Sequence, residues 1–301
     1  MAETRLRIGI IGGTGLGEAI AGEQGESHEV QTPFGPPSGP ITFTQWQGES
    51  IAILQRHGPG HLYSPSRVPY RANIYALKAL GVTHILASGA TGSLREDIAP
   101  GDVVIVDQII DKTFKRPATF YERAAVHVEF AEPFCPVMRQ WLKQAAVRID
   151  GARVHRAGTY VCMEGPAFST KAESLMHRMW GGDLIGMTAM PEARLAREAE
   201  IAYALIALPT DYDCWRPHEP DARPEELLTE IIGNLNRATQ AGVRLIKTAL
   251  EDVDMLRTQP SPAHTALKLA IWSDRQAIAD EEVQRLKLLW GRYFQQNTGE
   301  H

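Results

Sequence analysis

Two carboxylates lie two residues apart in Thr-Asp-Tyr-Asp-Cys-Trp, residues 210–215, directly after the apolar run 201–208. Side chains at i and i+2 of an extended chain point the same way, so Asp211 and Asp213 face one spot. Like charges that close repel, and in a dry site one of the two is expected to hold a proton. Such a pair can give or keep a proton near neutral pH. A plain turn after a strand would look the same, because Asp is common there.

Five further segments have residue types suited to an anion or a flat ring. Gly12-Gly13-Thr14-Gly15-Leu16-Gly17 follows the run 6–11, and its glycines let the backbone approach an anion while Thr14 adds a hydroxyl. Position 18 is Glu, so the spacing is not G-x-G-x-x-G, and no Gly-Lys-Ser/Thr follows to make a nucleotide-triphosphate loop. Arg56-His57-Gly58 follows the run 51–54, and a guanidinium fork beside an imidazole suits phosphate or carboxylate. Ser88-Gly89-Ala90-Thr91-Gly92-Ser93 follows 84–87 and can offer backbone N–H groups, Ala90 among them. Glu164-Gly165-Pro166-Ala167-Phe168-Ser169-Thr170 precedes a helix; Phe168 can stack on a ring, and Ser169 can bond a heteroatom or cap the helix. In residues 186–192, Met187 offers a soft apolar surface and Thr188 another hydroxyl. Each has a bland counterpart: a strand-turn glycine cluster, a surface Arg by a structural His, a buried Met.

The elements that must position these residues alternate. Strands are predicted at 6–11, 50–54, 84–88, 103–106, 159–162 and 201–208, and helices at 68–80, ending at Gly81, and at 172–180, where Thr170 and Glu173 have capping-box spacing. Alternation of this kind predicts an α/β domain with a largely parallel sheet. Ligands of open α/β sheets bind beyond the carboxyl ends of the strands, so several of these turns would converge. Residues 224–255 read as one long helix, with Leu227, Leu228, Ile231, Ile232, Leu235 and Ala238 on one face. After a Pro-containing break, 263–296 read as more helix, with Val283, Leu286, Trp290 and Phe294 at helical spacing. These stripes suit core packing or a subunit contact, and the chain divides into 1–255 and a helical extension, 256–301.

Composition narrows the partners. Hydrophobic content of 44% and charged content of 22% are those of a globular protein. A net charge of -5 without a basic run gives no footprint for nucleic acid. Cys135, Cys162 and Cys214 form no CxxC or Cys/His cluster, so neither a disulfide framework nor a metal site is indicated. No window approaches the ~18 apolar residues that span a bilayer, and the first residues lack a signal peptide's apolar stretch, so a cytoplasmic protein is expected.

Taken together, IGIIGGTGL, TPFG, RHGPGH, GSLREDIAPGD, AEPFCP, EGPAFSTKAES, MPEARLAREAEI and TDYDCW, in that order, closely resemble the 5'-methylthioadenosine phosphorylases of the trimeric purine nucleoside phosphorylase family. The resemblance runs from about residue 5 to about residue 250, leaving the last 50 residues outside it. It implies a single α/β domain on a mixed, partly barrel-like sheet flanked by helices, assembled as a homotrimer or homohexamer. It implies phosphorolysis, with inorganic phosphate as co-substrate and no cofactor: phosphate attacks C1' of methylthioadenosine and releases adenine. By motif match, Thr14, Arg56, His57, the Ala90 backbone and Thr188 would hold phosphate, and Met187 would lie against the ribose. Phe168 and Ser169 would flank the purine, with Asp211 at N7 and Asp213 at N6. Leu227 matches a position lining the methylthio pocket, and His127 one that reaches a neighbouring subunit's pocket. Gly89 and Gly186 depart from the Thr and Asn of some members. A methylthioinosine or general purine nucleoside phosphorylase, or a nucleoside-binding regulatory protein, are the alternatives.

Overall fold

A computed structural model of the chain describes residues 6–20, 22–216 and 223–294. Its strands are β1 (Ile8–Gly12), β2 (Glu26–His28), β3 (Ile41–Trp46), β4 (Glu49–Gln55), β5 (His84–Ser93), β6 (Val103–Ile105), β7 (Gln108–Lys112), β8 (Val154–His155), β9 (Thr159–Met163), β10 (Leu184–Gly186) and β11 (Ala202–Asp211). The helices are α1 (Leu16–Ile20), α2 (Tyr70–Ala79), α3 (Pro136–Ala146), α4 (Lys171–Met179), α5 (Ala189–Glu198), α6 (Pro224–Leu250), α7 (Asp254–Thr258), α8 (Asp280–Arg285) and α9 (Lys287–Trp290). All six predicted strands are present, and α4 begins with the Thr170–Glu173 capping box.

The strands form one mixed sheet that forks at β5. Residues 84–87 of β5 lie between β1 and β11, both parallel to it. Farther along, β10 pairs antiparallel at Gly92 and Ser93. One arm continues β10-β9-β7 and the other β11-β6-β8. Only Val106 and Asp107 separate β6 from β7, and Asp107 N–H donates to Gly158 C=O at 3.2 Å, so the arms are tied back together. This closure is the partly barrel-like character expected of the sheet.

β1 and β11 are apolar along their length because helices cover both sheet faces, as parallel strands require. Alternate residues feed two cores. Ile11, Leu54, Ile85 and Leu205 join one with α2 and α5, and Ile10, Ile53, Leu86 and Ile206 join the other with α3 and α6. Among the described residues no helix is long and apolar enough to cross a membrane.

The C-terminal region corrects the sequence expectation in two places. The helix from Pro224 stops at Leu250, where the Trp141 indole N–H donates to both Ala249 C=O and Asp252 C=O at 2.8 Å and takes up the end of the helix. Residues 263–294 are not a continuous helix. Ile271 forms an antiparallel bridge with Val126, and Asp274 Oδ1 accepts from Gln276 N–H in a tight turn. Only α8 and α9 keep the helical spacing of Leu286 and Trp290; residues 295 and 296 lie outside the described residues. The segment buries its apolar residues by draping: Leu267, Ala270, Ile278, Leu286, Leu289 and Trp290 join the core of α2 and α5. Trp290 is fully buried, its ring 4.8 Å from that of Tyr121. Trp290→Ala should therefore cost about 3–5 kcal/mol of stability, read by urea unfolding. A loss below about 1 kcal/mol would mean that this segment only decorates the surface.

Candidate active site

The register of β1, β4 and β5 decides what meets at their carboxyl ends. Gly12 pairs with Gln55, and Ile11 with Ala87, so Gly13-Thr14, Arg56-His57 and Ser88-Gly89-Ala90 emerge side by side. Arg56 is wholly buried there. Its Nε and Nη2 donate to the two Glu192 oxygens, each at 2.8 Å, and Nη1 donates to Ser88 C=O at 2.6 Å. Tyr203 Oη donates to Glu192 at 2.8 Å from the other side. Burial works against the charge of Arg56, but Glu192 more than offsets it and the guanidinium stays protonated. Three of its five N–H groups are used, which leaves one on each terminal nitrogen for a ligand.

Gly13 and Gly89 make room around that cation. A Cβ at Gly13 would run into the guanidinium and come within 2.5 Å of Ser88 O. A Cβ at Gly89 would stand 3.5 Å from Thr188 Oγ1 and 4.0 Å from Arg56 Nη1, so Thr188 and Arg56 face the same small space. Beside it, His57 Nδ1 donates to Tyr63 C=O at 2.7 Å, which fixes the tautomer. Burial first, then the charge of Arg56, push its pKa down to about 4. His57 is therefore neutral near pH 7 and turns a lone pair, not a donor, on Nε2 toward its surroundings.

The aspartates lie at the end of β11, the neighbour of β5, and in the turn after it. β11 pairs Pro209 with Thr91 and Asp211 with Gly92, so Thr210 is an extra residue, a bulge that re-aims Asp211. Asp211 accepts from Thr210 Oγ1 at 2.6 Å and from Asp213 N–H at 2.9 Å, which orient its carboxyl. Asp213 has φ +48°, a left-handed conformation that non-glycine residues rarely adopt. Trp215 Nε1 donates to Ser93 C=O at 2.8 Å and pins the turn to β5. Both aspartates pack over Gly92: a Cβ there would meet Asp213 Cβ at 3.2 Å and Asp211 Oδ2 at 3.4 Å. Asp213 Oδ2 is buried without a hydrogen-bond partner among the described residues.

Gly89 marks the first cluster and Gly92 the second, three residues apart on β5, or about 10 Å at roughly 3.3 Å per residue. Met187 lies near, its sulfur within 2.5 Å of where a Gly165 Cβ would stand. Arg116 fastens that junction, donating to Met187 C=O, Met190 C=O and Glu164 C=O at 2.6 Å each. Burial opposes the charge of Glu164, but Ser66, the N–H groups of Phe114 and Lys115, and Arg116 hold its pKa at about 2. Ser169 C=O accepts from Cys214 Sγ at 3.3 Å, which brings the 164–169 segment to the aspartate turn. Phe168 stands 85% exposed beside it. Leu227 is half-buried on α6, two turns before Asn234, whose amide donates to Thr210 C=O at 2.8 Å. His127 is apart, exposed and edge-on to Trp272 at 4.9 Å.

Motif reading missed the residues that hold these groups in place. Glu192, Tyr203 and Arg116 are spread along the chain, and nothing in their spacing reveals their partners. The one signal available was that a buried arginine needs a carboxylate. Among the described residues no group of His, Cys, Asp or Glu is arranged to hold a metal ion.

The model of the phosphorylase superfamily matches residues 7–251. An S-methyl-5'-thioadenosine phosphorylase of Chloroflexus aurantiacus is 47% identical over 289 residues, 95% of this chain and 98% of that protein. One from Gloeobacter violaceus is 44% identical over 299 residues, 97% and 98% of the two chains. These matches run past residue 251 into the draped C-terminal segment. Among solved structures, a methylthioadenosine phosphorylase from an antarctic soil metagenomic library is 43% identical with a TM-score of 0.82, over 95% of this chain and 99% of that one. The Schistosoma mansoni methylthioadenosine phosphorylase in complex with adenine is 36% identical with a TM-score of 0.78, over 89% and 99%. By sequence and by fold, the chain belongs to the phosphorylase superfamily.

Proposed function

We propose that this chain cleaves S-methyl-5'-thioadenosine with inorganic phosphate, releasing adenine and 5-methylthioribose 1-phosphate. The relatives named above for that reaction support this reading, and the observation that carries it is the orphaned, buried Oδ2 of Asp213. A carboxylate oxygen left without a donor in a strained turn suits a donor carried by a ligand. The N6 amino group of adenine is one; the O6 of a 6-oxopurine is not.

The roles follow from chemistry. Cleaving the N-glycosidic bond leaves a cationic, oxocarbenium-like sugar and an electron-rich purine. Arg56, with Thr14, the Ala90 N–H and Thr188, would position the phosphate, whose charge both attacks C1' and stabilises the sugar cation. Asp211 would protonate or hydrogen-bond N7 of the leaving base, and Asp213 would accept from N6. Phe168 and Ser169 would flank the base, Met187 the ribose, and Leu227 the methylthio group. A homotrimer or homohexamer in the cytoplasm, with His127 reaching into a neighbour's site, completes the reading.

The test is to incubate the protein with methylthioadenosine, adenosine, methylthioinosine and inosine, with and without phosphate. Adenine released only with phosphate, and fastest from methylthioadenosine, is the expected result; hypoxanthine outpacing adenine would overturn the base assignment. Asp213→Asn can turn an amide donor toward O6 and should lower the preference for the 6-amino substrate at least about tenfold.

His57 gives a second prediction. Burial and the charge of Arg56 hold it neutral, with its pKa near 4. An arriving phosphate dianion favours the imidazolium and raises that value, so between pH 4 and the raised value binding takes up a proton. Calorimetry of phosphate binding at about pH 5.5, in buffers of different ionisation enthalpy, should show more proton uptake per phosphate bound in the wild type than in His57→Gln. Equal uptake in both would remove His57 from the phosphate site.

A further inference from the structure

Tyr160 is buried in the middle of β9, between Leu184 of β10 and Ile109 of β7. Its hydroxyl accepts from Thr188 N–H at 3.4 Å. The space it fills belongs to residue 186. A Cβ on Gly186 would overlap the Tyr160 oxygen and lie 2.6 Å from its Cζ, so the glycine is required by the phenol. The Gly186 backbone is ordinary strand, and its lack of a side chain is a matter of space.

That bond holds the backbone of Thr188 at the start of α5, where its side chain makes no capping bond and is left free for a ligand. Beside Thr188 Oγ1 stand Gly89, without a side chain, and Arg56 Nη1, which can only donate. Holding the Thr188 backbone therefore sets its hydroxyl against the space that the guanidinium also faces.

We propose that Tyr160 is a positioning residue: its hydroxyl orients Thr188 as a donor to the bound anion, and Gly186 exists to admit it. This rests on the phosphate-binding reading given above. It adds a residue of the sheet interior that touches neither the anion nor the nucleoside.

The test separates the two ideas. Binding of inorganic phosphate, without nucleoside, is measured by calorimetry for the wild type, Tyr160→Phe, Thr188→Val and the double variant. Tyr160→Phe should weaken phosphate about three- to tenfold, the range for one neutral hydrogen bond. The Michaelis constant for the nucleoside should stay within twofold. On the Thr188→Val background the tyrosine change should add nothing, because it acts through that hydroxyl. Phosphate affinity unchanged in Tyr160→Phe, or losses that simply multiply in the double variant, would overturn the proposal. Should Tyr160→Phe not fold, Gly186→Ala pushes the hydroxyl off Thr188 and should give the same loss; unchanged affinity there would equally overturn it. If Thr188→Val binds phosphate like the wild type, the phosphate site itself is misassigned and the proposal falls with it. If the coupling is found but no nucleoside is cleaved, the proposal stands and the reaction does not.

Discussion

A guanidinium sealed from solvent at the junction of three parallel strands needs a carboxylate, and Arg56 has Glu192 in a two-pronged bond of 2.8 Å on each arm. Breaking such a pair by removing one partner leaves a buried charge without compensation, at about 3–5 kcal/mol. The surroundings follow from it. Glycine at 13 is needed because the cation occupies the space a side chain would take. His57 is held neutral partly by that charge. Tyr203 ties Glu192 into β11, so the strand that ends in the aspartates is fixed to the cation that faces the anion.

β5 joins the two halves of the chemistry. It runs beside β11 from His84 to Gly92, with β1 on its other side at one end and β10 at the other, so it passes from the anion cluster at Gly89 to the aspartates at Gly92. The separation of about 10 Å suits a ligand with a phosphate at one end and a heterocycle at the other. The bulge at Thr210 and the left-handed Asp213 are local departures from regular strand at the point where a base would be read. Strain of this kind persists only where surrounding structure holds it, and Trp215 on Ser93 and Asn234 on Thr210 supply that hold.

Much of this was legible in the sequence. Parallel strands buried on both faces appear as continuous apolar runs, and glycine-rich turns after them mark the carboxyl ends where ligands bind. The short strands β2, β8 and β10 carry too few residues for a period to show, and β3 and β7, with polar residues among their apolar ones, form no continuous apolar run. Residues 263–294 misled because Val283, Leu286 and Trp290 have helical spacing, while the chain between Leu267 and Ile278 meets its burial need by a bridge and a tight turn instead. The supporting shell was hidden for a different reason. Glu192 meets Arg56 across 136 positions and Arg116 meets Met190 across 74, and sequence spacing carries no information on pairings made by the fold.

The central claim is that one ligand spans from Arg56 to Asp213. A crystal structure with phosphate and adenine bound tests it most directly. The account places phosphate oxygens about 3 Å from Arg56 Nη1 and Nη2 and from Thr188 Oγ1, and the adenine N6 about 3 Å from Asp213 Oδ2. Phosphate bound away from Arg56, or adenine with its N6 turned from Asp213, would contradict it.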